Sequence, residues 1–213
     1  MSAVLYHYPM ACSTACRIAA AEAGTDIRLC GVDIYTKKLE RGGSFLDVNP
    51  LGQVAALGFQ DGSILTETAT ILVWLQSHGT VEDYRRTPDT PDYFTLLSWL
   101  NFCATELHKG LLWLLIRQDV PQAAKEMAMR GMDSKLKHIS ARLEGQHGLL
   151  ARGPCAADAY LIWVLSLIQF AGISVEAYPV LTRFYASMLE RPQVAAIVRE
   201  DTFKLQELRQ KSA

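Results

Sequence analysis

A chain of 213 residues, half of them apolar and a fifth charged, is long enough for one large or two small domains and too apolar for a disordered or fibrous protein. Its 21 Lys and Arg against 22 Asp and Glu give a net charge of −1, so there is no basic excess to grip a phosphate backbone and nucleic acid is not an expected partner. The longest apolar stretches, 111–116 and 161–168, fall far short of the ~20 residues that span a bilayer, and residues 1–10 lack the features of a signal peptide; the expectation is a soluble, cytoplasmic protein without a membrane partner.

Residues 3–8 form a short β-prone run, punctuated by Pro9 and Ser13. Residues 14–23 are Ala-rich with Ile18 on one side, which predicts a helix ended by Gly24. Residues 27–34 alternate loosely and predict a second strand, followed by the polar segment 35–38. A short helix is expected over 42–49, and Asn49-Pro50-Leu51-Gly52 marks a turn. Residues 55–59 and 63–65 flank Asp61-Gly62 and predict a hairpin. Thr66-Glu67-Thr68 opens a helix to about Ser77, so the order reads β-α-β-α-β-β-α.

The segment 79–92 is polar, holds Pro88 and Pro91, and is the predicted boundary between a first domain, 1–80, and a second, 88–213. The second domain reads as helical throughout. Leu97, Leu100, Ala104, Leu107 and Leu111 recur at spacings of three and four over 93–112. Further helices are expected over 122–144, 158–171, 178–190 and 193–200, and the one over 158–171 is apolar all round and so buried.

The five cysteines are Cys12, Cys16, Cys30, Cys103 and Cys155; an odd count without a secretion signal argues against a disulfide framework. Four of them read as small buried hydrophobes. Cys12 follows a strand and a Pro-containing loop at a helix start, where backbone N–H groups and the helix dipole stabilise a thiolate; a buried thiol capping the turn is the plain structural alternative. Glu67-Thr68 opens another helix, and free N–H groups with a hydroxyl there suit a carboxylate. An ordinary N-cap is the competing or coexisting reading. Asn101, Thr105 and His108, spaced by four and three, share a helix face, and a histidine there can donate to a thiolate or accept its proton. His7, His78, His138 and His147 have no comparable setting, Tyr6 and Tyr8 read as packing residues, and no metal site is expected.

Five segments in register resemble the bacterial, beta-type cytosolic glutathione transferases: Pro9 to Ser13, Asn49 to Leu57, Asp61 to Thr68, Trp99 to Gly110, and Ala157 to Leu161. The resemblance spans nearly the whole chain. It implies a thioredoxin-like N-terminal α/β domain followed by an all-helical domain, glutathione as co-substrate, a small hydrophobic electrophile in the cleft, and a homodimer. It also implies roles. Cys12 contacts the glutathione sulfur and can form a mixed disulfide with it, with Ser13 as the runner-up contact. Glu67 and Thr68 hold the γ-glutamyl end, the Val54 backbone after Gln53 pairs with the cysteinyl unit as an added strand does, and Lys37 reaches the glycyl carboxylate. Asn101, Thr105, Glu106 and His108 belong to the matching helix of the second domain. The electrophile's pocket draws on Trp113, Leu114, Arg117 and residues 160–163.

Two departures stand out. The family carries a cis-proline after the valine; here that residue is Ala55, and a cis bond before a non-proline costs about 3–4 kcal/mol against about 0.5–1 kcal/mol before proline, so a trans Val54–Ala55 bond is expected. Cys155 stands where a Ser or Thr caps the helix opened by Asp158, which predicts a weaker cap. The leading expectation is a transferase that conjugates glutathione, with thiol-disulfide exchange or peroxide reduction compatible and favoured by Cys12. A non-catalytic carrier or regulatory protein is the alternative, kept open by the missing proline. A thioredoxin-like oxidoreductase fits less well, because Cys12 and Cys16 are spaced C-x-x-x-C.

Overall fold

The computed structural model describes residues 3–212. β1 (Ala3–His7) is followed by α1 (Ser13–Ala23), β2 (Ile27–Gly31), β3 (Ala56–Gly58), β4 (Ile64–Thr66) and α2 (Thr68–His78). The four strands form one mixed sheet in the order β2-β1-β3-β4. β1 pairs parallel with β2, Leu5 opposite Leu29, and antiparallel with β3, Leu5 opposite Leu57. The side chains of Ala3, Leu5 and His7 alternate into the interior, as a strand with one buried face requires. α1 ends at Gly24, whose left-handed φ of 65° lets its N–H reach back to the carbonyls of the last turn; a Cβ there would meet Thr80 Oγ1 at 2.5 Å.

The helix expected over 42–49 shrinks to one 3-10 turn, Phe45–Asp47. Gly42 and Gly43 sit at φ of 88° and 89° and Ser44 is extended, so no helix can start before Phe45. The hairpin is present: Gly62 takes φ 82°, and Asp61 Oδ1 accepts from Ser63 N at 2.9 Å.

From Tyr93 onward the chain is helical. α3 (Tyr93–Phe102) continues without a break into a π-helical segment, Cys103–Leu112, and then a short α4 (Trp113–Ile116). α5 (Gln122–Leu143), α6 (Ala156–Phe170), α7 (Pro179–Leu189) and α8 (Pro192–Ser212) follow. α8 runs much further than the 193–200 read from the sequence, because its later turns keep only a sparse apolar stripe, Leu205 being buried and Phe203 exposed.

α6 is the spine: every residue from Ala156 to Ile168 is buried. Its start is a capping box, with Asp158 Oδ2 accepting from Cys155 N at 2.9 Å and Oδ1 from Leu149 N at 2.8 Å. α1 packs on α2, α6 and α8, so the sheet's helical layer and the helical bundle share one core.

Candidate active site

The site begins where β1 runs out. Pro9-Met10 turns the chain, and Met10 takes the left-handed φ of 56° that bulky residues avoid. The indole Nε1 of Trp163, on α6, donates to Met10 O at 3.0 Å and fixes this turn. Cys12 follows as the residue before the first turn of α1, 7% exposed, with its Sγ donating to Val54 O at 3.3 Å. The expectation of a stabilised thiolate is corrected here. Burial pushes the Cys12 thiol up, and the Thr68 hydroxyl, the Lys109 charge and the backbone N–H groups of Ala55 and Cys12 offset this only in part. Desolvation outweighs the helix start, so Cys12 is a neutral thiol in the ligand-free protein.

Val54 is held by its neighbours. Asn49 Nδ2 donates to Gln53 O at 2.7 Å, Ala55 is 4% exposed, and Val54 O accepts the Cys12 thiol. The Val54–Ala55 bond is cis, not the trans bond expected. That expectation weighed only the intrinsic preference of the bond, whereas the surrounding contacts fix the course of the backbone here. Val54 N–H has no partner among the described residues.

The third wall is the start of α2. Glu67 takes φ 68°, a left-handed conformation for a residue with a side chain, and carries the chain from β4 into Thr68, the first residue of the helix. With Met10 and Lys37, it completes the set of non-glycine residues at positive φ among those described, and two of the three flank this site. Such strained backbone concentrates where function fixes geometry.

The fourth wall comes from the π-helical segment. Ala104, Thr105, His108 and Lys109 line the site, while Asn101, on the α-helical part, does not. Of Asn101, Thr105 and His108, read from the sequence as one helix face, the cavity thus takes the last two. His108 Nδ1 lies 2.9 Å from the Tyr160 hydroxyl, and its ring meets Trp163 edge-on at 4.8 Å. Burial, helped by the Lys109 charge, pushes the imidazole down to about 4, so it is neutral at physiological pH.

These walls enclose a cavity of about 180 Å³ between the sheet domain and the helices. Of the residues singled out from the sequence, it brings together Cys12, Gln53, Val54, Glu67, Thr68, Thr105 and His108. The others lie elsewhere. Ser13 is fully buried behind Cys12 and bonds to His7 Nδ1 at 2.9 Å. Lys37 Nζ donates to Ile34 O and to Gly52 O at 2.9 Å. Glu106 points outward to Lys135 on α5. Asn101 is exposed, its carbonyl accepting from the Thr105 hydroxyl.

Two further residues line the cavity: Tyr160, which the sequence reading places in the electrophile's pocket, and Lys109, to which it gives no role. Tyr160 sits in a largely apolar helix, where a buried phenol needs a hydrogen-bond partner. A larger recess of about 400 Å³ lies away from this site, between α3 and the loop before α6, beside Trp99, Arg142 and Arg152. It contains no thiol or imidazole, so the chemistry belongs to the smaller cavity. Among the described residues, no group of His, Cys, Asp and Glu is arranged to hold a metal ion, and no helix is long and apolar enough to cross a membrane.

Comparison with known proteins follows the same lines. The C-terminal domain model of the glutathione S-transferases matches residues 102–192. The chain is 34% identical over 190 residues to glutathione S-transferase GstA of Escherichia coli O157:H7, covering 89% of this chain and 94% of that one. A sphingomonad glutathione S-transferase complexed with glutathione superposes with a TM-score of 0.87 at 31% identity, covering 93% of this chain and 98% of that one. A bacterial beta class glutathione S-transferase of Sphingomonas chungbukensis superposes with a TM-score of 0.86 at 30% identity, with coverage of 93% and 98%.

Proposed function

Since this chain belongs to the glutathione S-transferase family, we infer that it is an enzyme with glutathione as its co-substrate, and we propose the cavity at Cys12 as the place where glutathione binds. One observation carries the assignment: an unpartnered Val54 N–H, a helix start at Glu67-Thr68 and a neutral imidazole meet around one small cavity. Each suits one part of the tripeptide. Val54 pairs with the cysteinyl backbone as an added strand. The first N–H groups of α2 and the Thr68 hydroxyl hold the γ-glutamyl carboxylate, with Glu67 near its amino group. Lys37, with three donors of which two are engaged, keeps one for the glycyl carboxylate.

The reaction follows from the neutral Cys12 thiol and His108 imidazole at the cavity. The glutathione thiol gives its proton to solvent, and the remaining sulfur anion accepts hydrogen bonds from the neutral Cys12 S–H and the His108 N–H. The anion attacks an electrophilic carbon of a small apolar co-substrate, forming the C–S bond as the leaving group departs with its electron pair. Catalysis is thiolate stabilisation plus proximity. Trp113, 39% exposed, with the Arg117 guanidinium 4.4 Å over its ring, supports an apolar site for the electrophile beyond α4. Consumption of electrophiles fits a detoxifying role, five unpaired cysteines fit a reducing cytoplasm, and the exposed Leu51 and Phe94 offer apolar surface to a second copy in a homodimer.

Thiol-disulfide exchange is the second reading, favoured by Cys12 itself. Its thiolate would attack glutathione disulfide, forming a mixed disulfide and releasing one glutathione thiolate. Burial of the neutral thiol works against this step, so conjugation is the primary activity. The test is retention on immobilised glutathione followed by conjugation of 1-chloro-2,4-dinitrobenzene. Retention with turnover is expected. Absence of both overturns the reading in favour of a non-catalytic carrier.

A further inference from the structure

We propose that Tyr160 is a positioning residue for the transferase reaction: its hydroxyl donates to Nδ1 of His108, which puts the imidazole proton on Nε2 and turns that N–H towards the glutathione sulfur. The inference rests on the functional reading above and gives one residue of its site a defined task.

The geometry is specific. Tyr160 sits on α6, the most buried helix, with 1% of its surface exposed. Its hydroxyl lies 2.9 Å from His108 Nδ1, and both rings pack against Trp163. The packing fixes the ring, and the phenol oxygen's other hydrogen-bond partner is the Thr68 hydroxyl, which acts on it as a donor and leaves the phenol proton for His108. His108 lines the cavity, and its Nε2 has no partner among the described residues.

A neutral imidazole carries one proton, and the nitrogen that holds it is set by the bond the other nitrogen makes. Burial drives the Tyr160 hydroxyl far above its usual titration range, so it stays a donor at every pH of interest. Burial also keeps His108 from charging. The titratable groups around the pair are Cys12 before α1 and Cys16 on it, Glu67 before α2, and Cys103 and Lys109 from the π-helical segment. The buried thiols among them are pushed up by desolvation and remain neutral. Lys109 is the one cation of the group, and it opposes a charged imidazole. His108 is thus confined to the neutral state, where the choice of tautomer decides whether the cavity meets a donor or an acceptor. A sulfur anion needs the donor.

The experiment has two arms. Nitrogen-15 chemical shifts of the His108 ring in ligand-free wild-type protein read the tautomer directly. A protonated Nε2 and a bare Nδ1 are expected; protonated Nδ1 overturns the proposal. The second arm follows the ultraviolet absorbance of bound glutathione thiolate against pH in wild type, Tyr160→Phe, His108→Ala and the double variant. Tyr160→Phe keeps the ring and removes one oxygen. Its titration midpoint should rise by about one unit, which is about tenfold less thiolate well below the midpoint, and the acid limb of kcat/KM should rise with it. The substitution should add nothing in the His108→Ala background, because its effect passes through the imidazole. An unmoved midpoint in Tyr160→Phe, or an equal shift with and without His108, sinks the positioning role. A wild-type protein that does not retain glutathione overturns the functional reading instead, and the ligand-free tautomer separates that failure from this one.

Discussion

Cys12 carries a neutral thiol at the mouth of a helix, and this sets how it reacts. The helix dipole and the Thr68, Lys109 and backbone donors all favour the thiolate, yet removal from water costs more than they return. Alkylation of Cys12 by iodoacetamide should therefore be slow at neutral pH and accelerate only above the ordinary thiol range, with no plateau near pH 7. The rate measured against pH by mass spectrometry checks this; a plateau at neutral pH would show a thiolate. The neutral state was not legible in the sequence. Pro9 to Ser13 announces a helix start, which argues for a lowered pKa, but the contacts that bury Cys12 come from Val54, Thr68 and the π-helical segment, which are remote in the chain. His108 illustrates the same point: its spacing put it on the right helix, while its tautomer depends on a tyrosine 52 residues away.

At the level of elements, most of the strand and helix order could be read from pattern, because alternation and three-four spacing are local. The turn chemistry was legible too, as Asp61-Gly62 and Gly24 show. The π-helical segment was not. The residues Cys103 to Leu112 have the apolar spacing of a plain α-helix, and the wider turn appears only where the chain packs against α5 and α6. α6 is the element on which the site hangs. Its capping carboxylate, Asp158, accepts two buried N–H groups. Asp158→Ala strands both, and the loss should be about 3 kcal/mol or more in the denaturant midpoint. Cys155 contributes little to that cap as a weak acceptor, so the carboxylate carries the burden. Trp163→Phe removes the donor to Met10 O while filling most of the same space. It should cost about 1–2 kcal/mol of stability and lower kcat/KM more than stability alone explains, measured at a temperature where the variant is fully folded. Equal kinetics in the folded variant would show that the Met10 turn holds itself.

For the molecule as a whole, the two halves are joined through a buried polar cluster. Asp201 on α8, fully buried, accepts from Thr14 and Arg17 on α1 and lies 3.2 Å from His7 Nε2 at the end of β1. Arg17 also reaches Glu200 at 2.7 Å. Burial alone would raise the Asp201 carboxyl; the His7 hydrogen bond and the charges of His7 and Arg17 more than offset it and hold it below the usual range. A carboxyl depressed in the folded state stabilises fully above its unfolded value near 3.9, and that stability is lost as pH falls through the folded value. Asp201→Ala leaves Arg17 buried without its inner partner and should cost about 3–5 kcal/mol at neutral pH. Asp201→Asn should flatten the acid limb of stability below about pH 4, read from denaturant midpoints across pH. An unchanged acid limb would exclude Asp201 as its source. The cluster also has a consequence for how the protein is made. The turn that carries Cys12 belongs to the opening residues, but its supports, Trp163 and Asp201, are among the later ones to leave the ribosome. A nascent chain that has already folded its sheet still waits for α8 before that turn is gripped, so a growing chain gains a finished site only once α8 has emerged.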